Sequence, residues 1–274
     1  MTIDLRDATP LVLIGAGKMG GAMLTGWLDR GLPADGVVVI EPHASDELKA
    51  LAAARGIRLE SAAPTGLVAR IMVVAVKPQV LDAVLPPLAS LVGAETVVVS
   101  VVAGKTVAAF ERGLGAHRIV RTIPNTPSQV GRGITAAHAV AAVPAPDRDL
   151  VSVLLATLGR LEWVDSEDLI DVATAVSGSG PAYVFHMVEA LAAAGAAAGL
   201  EPALAARLAR ATVEGAGELL WRSPDEPETL RKNVTSPGGT TAAALAVLMG
   251  EDGLTKLMTE AVAAAAKRSR ELAG

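Results

Sequence analysis

The sequence predicts an α/β domain built on a mostly parallel, doubly wound sheet, followed by an all-helical domain. Three observations predict it. Short β-branched runs alternate with helical patterns as far as residue 165, strand patterns stop at about Ser166, and a glycine-spaced turn stands between the first strand and the first helix. Strands that are apolar along their whole length, rather than at every second residue, belong to sheets covered on both faces.

The elements follow in order. "LVLIG" (11–15) leads into an amphipathic stretch from about Met19 to Arg30, and "VVVI" (37–40) precedes "DELKALAAARG". "IMVVAV" (71–76) precedes "QVLDAVLPPLASLV", and "TVVVSVV" (96–102) precedes "KTVAAFERGL". "HRIVRTI" (117–123), "GITAAHAV" (133–140) and "LEWV" (161–164) complete the strands. Beyond them "SGPAYVFHMVEALAAAGAAAGL", "PALAARLARATVEGAGELLW", "PETLRKNV", "TTAAALAVLMG" and "LTKLMTEAVAAAAKRSREL" read as helices divided by Gly or Pro breaks. This shift places a domain boundary between 1–165 and 166–274. Alanine runs such as "AAAGAAAG" are either small-residue surface for close helix packing, including across a subunit interface, or a plain alanine bias.

Composition narrows the function. The chain has 274 residues, 51% of them hydrophobic and 19% charged, enough for a sizeable core and unlike a disordered protein. Aromatics are only 2% and the net charge is −5, which argues against base stacking and against a nucleic-acid footprint. Without cysteine there are no disulfides, thiolate metal sites or cysteine nucleophiles, and four scattered histidines with no HxxxH pair give a metal little to bind. The start "MTIDLRDATPLVLIG" lacks a signal peptide's basic and apolar regions. Nearly uncharged windows at 172–188 and 233–250 are interrupted by Ser, Gly and Pro, so neither reads as a membrane span. The expectation is a soluble cytoplasmic protein with a small-molecule substrate and neither nucleic acid nor membrane as a partner.

In "LVLIGAGKMGGAM", Gly15, Gly17 and Gly20 have GxGxxG spacing directly after a strand and at a helix start. Gly15 permits the tight turn, Gly17 lets backbone approach a pyrophosphate, and Gly20 lets helix and sheet pack closely. The N–H groups and dipole of the helix start, with Ala16, Lys18 and Met19 in the same loop, favour a phosphate. This is a Rossmann dinucleotide site. The second strand ends at Glu41, 21 residues after Gly20, where a carboxylate accepts from the ribose 2′-OH of NAD and repels a 2′-phosphate. That leans the cofactor toward NADH over NADPH. "AVKPQ", "SVVAG" and "IPNTP" fall at carboxyl ends of later strands, where ligands lie in such sheets. Lys77 is either a cation for cofactor or substrate or the solvated start of a turn. Asn125, between two prolines, either meets the nicotinamide side of the cofactor or caps its own turn.

Near the C-terminus, "SPGGTT" interrupts helical sequence with two glycines and two threonines. A helix starting there offers N–H donors to a carboxylate and hydroxyls that donate or accept. The alternative is a plain helix–helix turn with a threonine N-cap.

Taken with "GAGKMG", "AVKPQ" and "RTIPNTP", the runs "DLIDVATAVSGSGPAYVF" and "NVTSPGGTT" closely resemble pyrroline-5-carboxylate reductases. The resemblance runs from about Leu11 to Leu272, and SGSGPAY with SPGGTT at this separation is far more specific than the glycine fingerprint. It implies reduction of 1-pyrroline-5-carboxylate to L-proline by NADH or NADPH. It also implies a Rossmann domain joined to a helical domain that interlocks in a homodimer, with dimers able to form rings. The active site would lie where the helical domain of one subunit meets the nucleotide domain of another. The resemblance makes Thr241 the hydroxyl that hydrogen-bonds the ring nitrogen, gives Gly239 and Thr240 to the substrate carboxylate, and sets Glu167 on the substrate side. It brings Asn233, Val76, Lys77 and Ala103 to the cofactor.

The chain departs from the family pattern at about Ala62, beside Ser61, where some members carry a polar residue toward the cofactor ribose. It departs again at Ile123, where "MPNTP" is commoner, and at Glu41; these bear on NADH against NADPH. Tyr183, His186 and Glu189 share one helix, where His186 and Glu189 read as packing and interface residues. A β-hydroxyacid dehydrogenase would use a lysine in the long helix of its second domain, and Pro181 to Leu200 contains none. The remaining alternatives are a reductase of another cyclic imine carboxylate and a non-catalytic dinucleotide-binding regulator.

Overall fold

The protein is described by a computed structural model over residues 3–273. Two compact units emerge, one of residues 3–179 with 265–273 and the other of residues 180–264. In the first, β1 (Leu11–Ile14), β2 (Val37–Ile40), β3 (Arg58–Glu60), β4 (Ile71–Val74), β5 (Val97–Ser100), β6 (Arg118–Pro124), β7 (Gly133–Ala139) and β8 (Gly159–Trp163) form one sheet in the order β3-β2-β1-β4-β5-β6-β7-β8. Every pair is parallel except β6 with β7. Helices α1 (Lys18–Asp29), α2 (Asp46–Arg55), α3 (Leu81–Leu88), α4 (Val107–Leu114) and α5 (Ala145–Leu155) cover it.

Strand chemistry explains the two covered faces. Leu11 and Leu13 pack with Met23, Leu24, Trp27 and Leu150, whereas Val12 and Ile14 pack with Met72, Leu81, Leu85 and Phe110. Successive side chains of a strand point to opposite faces, so a strand apolar at every position needs helices on both. The strand β3 is not among the apolar runs of the sequence. It has only three residues, Arg-Leu-Glu, at the sheet edge, where one neighbour suffices.

After β8 the chain forms α6 (Asp168–Ala173), a π-helical turn (Thr174–Gly178), then α7 (Gly180–Ala197), α8 (Pro202–Arg222), α9 (Pro227–Asn233), α10 (Thr240–Leu248) and α11 (Leu254–Ala273). The compact units therefore divide at residues 179 and 180, later than the composition shift at 165, and the end of α11 belongs to the sheet unit. The reason is packing. Ile170 joins Ile123 and Ala136 in a small core, and Ser269 hydrogen-bonds Asp171. In the second unit α7 packs on α8, with Ala205 approaching Gly195. No helix among the described residues is long and apolar enough to cross a membrane.

Candidate functional site

Strand β1 lies between β2 and β4, the place where the order of the sheet reverses and where doubly wound sheets bind ligands. There the chain leaves β1 through Gly15, whose φ of +84° is a left-handed value. A Cβ at Gly15 would lie 2.9 Å from the Ala75 carbonyl oxygen and 3.1 Å from Val76 Cγ1, so the ends of β1 and β4 meet at this glycine. A Cβ at Gly20 would overlap the Gly15 carbonyl oxygen. Gly17 differs: a Cβ there would meet nothing within 4 Å. It is the N-cap of α1 and makes no side-chain cap, so the first N–H groups of α1 face outward uncapped by the chain. Two glycines thus shape the loop, and the third leaves space in front of a helix N-terminus.

Glu41 follows β2 directly, anchored by its N–H to the Glu60 carbonyl at 2.9 Å. Its carboxylate accepts from the Ala16 N–H at 3.1 Å and the His43 N–H at 3.2 Å. The acid is therefore turned onto the glycine loop and not away into solvent. The uncapped helix start, the open space at Gly17 and this inward carboxylate fit a dinucleotide with its pyrophosphate on α1 and a ribose at Glu41. Lys18 and Met19 open α1, and Val76 and Lys77 follow β4, with Lys77 as N-cap of a short turn begun by Pro78. Ala103 sits exposed on the loop between β5 and α4.

Two expected site residues have partners within this unit. The amide oxygen of Asn125 accepts from the Ile134 N–H at 3.0 Å, and its Nδ2 donates to the Ser177 carbonyl at 3.1 Å. It thereby ties the end of β6 to β7 and to the π-helical turn, and its side chain makes no cap on its own turn. Glu167 Oε1 accepts from the Val107 N–H at 2.8 Å and from Arg121 Nη1 at 3.0 Å. Arg121, 2% exposed, went unremarked in the sequence reading. Its signal is an arginine in the middle of an otherwise apolar stretch of strand, a placement that demands a buried acid.

In the second unit, Gly238 takes a φ of +72° and the Gly239 N–H donates to the Ser236 carbonyl at 3.1 Å, closing a turn. A Cβ at Gly239 would lie 2.5 Å from Ser236 Oγ, a hydroxyl that can rotate aside, so the position the turn reserves for glycine is Gly238 with its left-handed φ. Gly239, not a threonine, is the N-cap of α10, and it makes no side-chain cap. Thr240 and Thr241 occupy the first turn. Thr212, Thr235 and Thr259 donate their hydroxyls to carbonyls four residues earlier, but a first-turn threonine has no such helical carbonyl. The hydroxyl of the half-buried Thr241 is left available beside uncapped N–H groups. Asn233 ends α9, exposed. On α7, His186 Nδ1 and Glu189 Oε2 lie 3.0 Å apart at the surface. Among the described residues no three His, Asp or Glu side chains gather to hold a metal ion.

Fold and nucleotide loop together define a dinucleotide-dependent oxidoreductase with a second, helical unit. Residues 167–272 match the family described as "Pyrroline-5-carboxylate reductase dimerisation", and residues 10–104 match "NADP oxidoreductase coenzyme F420-dependent". A pyrroline-5-carboxylate reductase of Pseudomonas aeruginosa is 38% identical, over 97% of this chain and 98% of that one. The solved pyrroline-5-carboxylate reductase of Coxiella burnetii superposes with a TM-score of 0.88 at 34% identity, covering 97% and 99% of the two chains. That of Plasmodium falciparum, with NADP bound, gives 0.74 at 27% identity over 98% and 99%. The chain belongs to the pyrroline-5-carboxylate reductase family.

Proposed function

We infer that this protein reduces 1-pyrroline-5-carboxylate to L-proline with a nicotinamide cofactor, and that Thr241 is its catalytic hydroxyl. The observation that carries the reading is the α10 start, where uncapped N–H groups and a free hydroxyl stand side by side behind a turn made by the left-handed Gly238. The backbone at Gly239 and Thr240 takes the substrate carboxylate, as helix N-termini take anions. Thr241 holds the ring nitrogen. The reduced nicotinamide supplies hydride to the C=N carbon. A protonated cyclic imine is already electrophilic, so the chain needs no strong side-chain acid; it orients, excludes water and hydrogen-bonds the nitrogen as its charge is lost.

The loop from Gly15 through Ala16, Gly17, Lys18 and Met19 to Gly20 binds the pyrophosphate, with Val76, Lys77, Ala103 and Asn233 as further cofactor contacts. Glu167 and Asn125 act from behind this surface, since their hydrogen bonds go to protein groups. Glu41 favours NADH: its carboxylate lies on the glycine loop, where a 2′-phosphate would bring a second negative charge against it. Glu41→Ala is expected to raise the NADPH-to-NADH ratio of kcat/KM about tenfold. An unchanged ratio would remove Glu41 from the discrimination.

The helical unit completes itself as a homodimer. Among residues 180–264 only Ala205 and Ala209 are buried, whereas Phe185 is 64% and Leu219 62% exposed. Assembly of dimers into a ring is the further step of the same reading, and a mass in solution above two chains would support it. Loss of nicotinamide absorbance on adding 1-pyrroline-5-carboxylate, with L-proline as product, tests the reaction. Nucleotide binding without turnover would redirect the reading to another cyclic imine carboxylate or to a non-catalytic regulator.

A further inference from the structure

Helix α4 starts at Val107, and its N-cap, Thr106, offers no side-chain acceptor. Glu167 supplies one from 60 residues along the chain, at 2.8 Å from the Val107 N–H. A carboxylate suits this place, because the unpaired N–H groups and the dipole of a helix start favour negative charge. The same oxygen accepts from Arg121 Nη1 at 3.0 Å, while Arg121 Nη2 donates to Asp171 Oδ1 at 2.8 Å. Ser269 Oγ, near the end of α11, donates to that oxygen of Asp171 at 2.8 Å. Arg121 and Asp171 are 2% and 5% exposed, so each would be costly to leave unpaired. The planar guanidinium fixes the direction of both its bonds.

All of this bears on one loop, residues 101–106, which joins β5 to α4 and carries Ala103. Its beginning is held by Ser100, whose Oγ accepts from the Val102 N–H at 3.2 Å and whose carbonyl accepts from Thr122 Oγ1 at 2.8 Å. Its middle, Gly104 with a φ of +65°, would place a Cβ 3.2 Å from Leu272 Cβ of α11. Its end is held by Glu167. The loop is backed at three points by side chains that do not themselves lie on it.

We propose that Glu167 is a positioning residue for the cofactor, and that the chain Ser269–Asp171–Arg121–Glu167 sets the 101–106 loop in the geometry that receives the dinucleotide. The proposal rests on the cofactor reading of that loop. It makes the end of α11, the last helix among the described residues, part of the support of the nucleotide site.

The test uses the full-length, assembled protein. NADH affinity is read by nucleotide fluorescence without substrate, then KM and kcat are measured, for Glu167→Ala and Glu167→Gln. Glu167→Ala is expected to weaken NADH about tenfold and to raise its KM in step, with the imine KM moving less than about twofold. Glu167→Gln, whose amide oxygen still accepts from Val107, is expected to stay within about threefold of the native affinity. Native NADH affinity in Glu167→Ala overturns the proposal, and so does a rise confined to the imine KM, which would make Glu167 a substrate ligand. Should Glu167→Ala not fold, Ser269→Ala decides: NADH about threefold weaker supports the proposal, and native affinity overturns it. Because the affinity is read without imine, failure of the reductase reading and failure of this role are separate results.

Discussion

Strands β1, β2, β4 and β5 bury every side chain, whereas the helical unit, residues 180–264, buries only Ala205 and Ala209. The sheet unit satisfies its own hydrophobic demand, with Trp27 and Phe110 fully enclosed. The helical unit leaves Leu204, Leu208 and Leu219 of α8 and Val247 and Leu257 beyond it between 38% and 75% exposed. Burying one such side chain contributes about 1.5–3 kcal/mol, so a unit that leaves a row of them open is specified by a surface another copy must cover. The two units also build their glycine turns differently. Both use a left-handed glycine, Gly15 and Gly238, but only the sheet unit adds close backbone packing, at Gly15 and Gly20, whereas a Cβ at Gly238 would meet nothing within 4 Å.

The largest effect that could break this comparison is a charge on the helical surface. Leu208→Asp is expected to cost about 2–4 kcal/mol of association, halving the mass seen by light scattering at micromolar concentration while the sheet unit keeps its nucleotide affinity. An unchanged mass would mean that α8 is not the covered surface. Next comes a pair of glycines. Gly20→Ala must push into the Gly15 carbonyl and is expected to cost about 3 kcal/mol of stability as well as nucleotide binding. Gly17→Ala has open space and is expected to stay within about 1 kcal/mol in thermal melts while NADH affinity still falls. Equal melting losses in both would contradict the division of roles within the loop. Smallest is Ser45, whose Oγ accepts from the Leu48 N–H at 3.2 Å at the start of α2. Ser45→Ala is expected to cost about 1 kcal/mol in the sheet unit and to leave the assembled mass unchanged.

Much of this was legible in the sequence because the causes are local. A GxGxxG after an apolar strand states its own steric needs within six residues, and five Gly- or Pro-bounded helical segments coincide with α7 to α11. What was not legible depends on partners far along the chain. Arg121 reaches Glu167 and Asp171 across 46 and 50 residues, and Asn125 reaches Ser177 across 52. No periodicity in "HRIVRTI" or "IPNTP" reveals those pairings. The same contacts explain why α6 stays with the sheet unit although no strand follows Trp163. Thr241 stands between these cases: the SPGGTT turn announces a helix start, but only the family resemblance gave its hydroxyl a ring nitrogen to meet.

The most direct test of the account is the kinetics of Thr241→Ala with 1-pyrroline-5-carboxylate, with the NADH dissociation constant measured on the same preparation. The expected result is a kcat lower by about a hundredfold with NADH affinity unchanged within about twofold, because the hydroxyl serves the reacting nitrogen and not the nucleotide. A native kcat in Thr241→Ala would contradict the central claim that the start of α10 is where the imine is held for reduction.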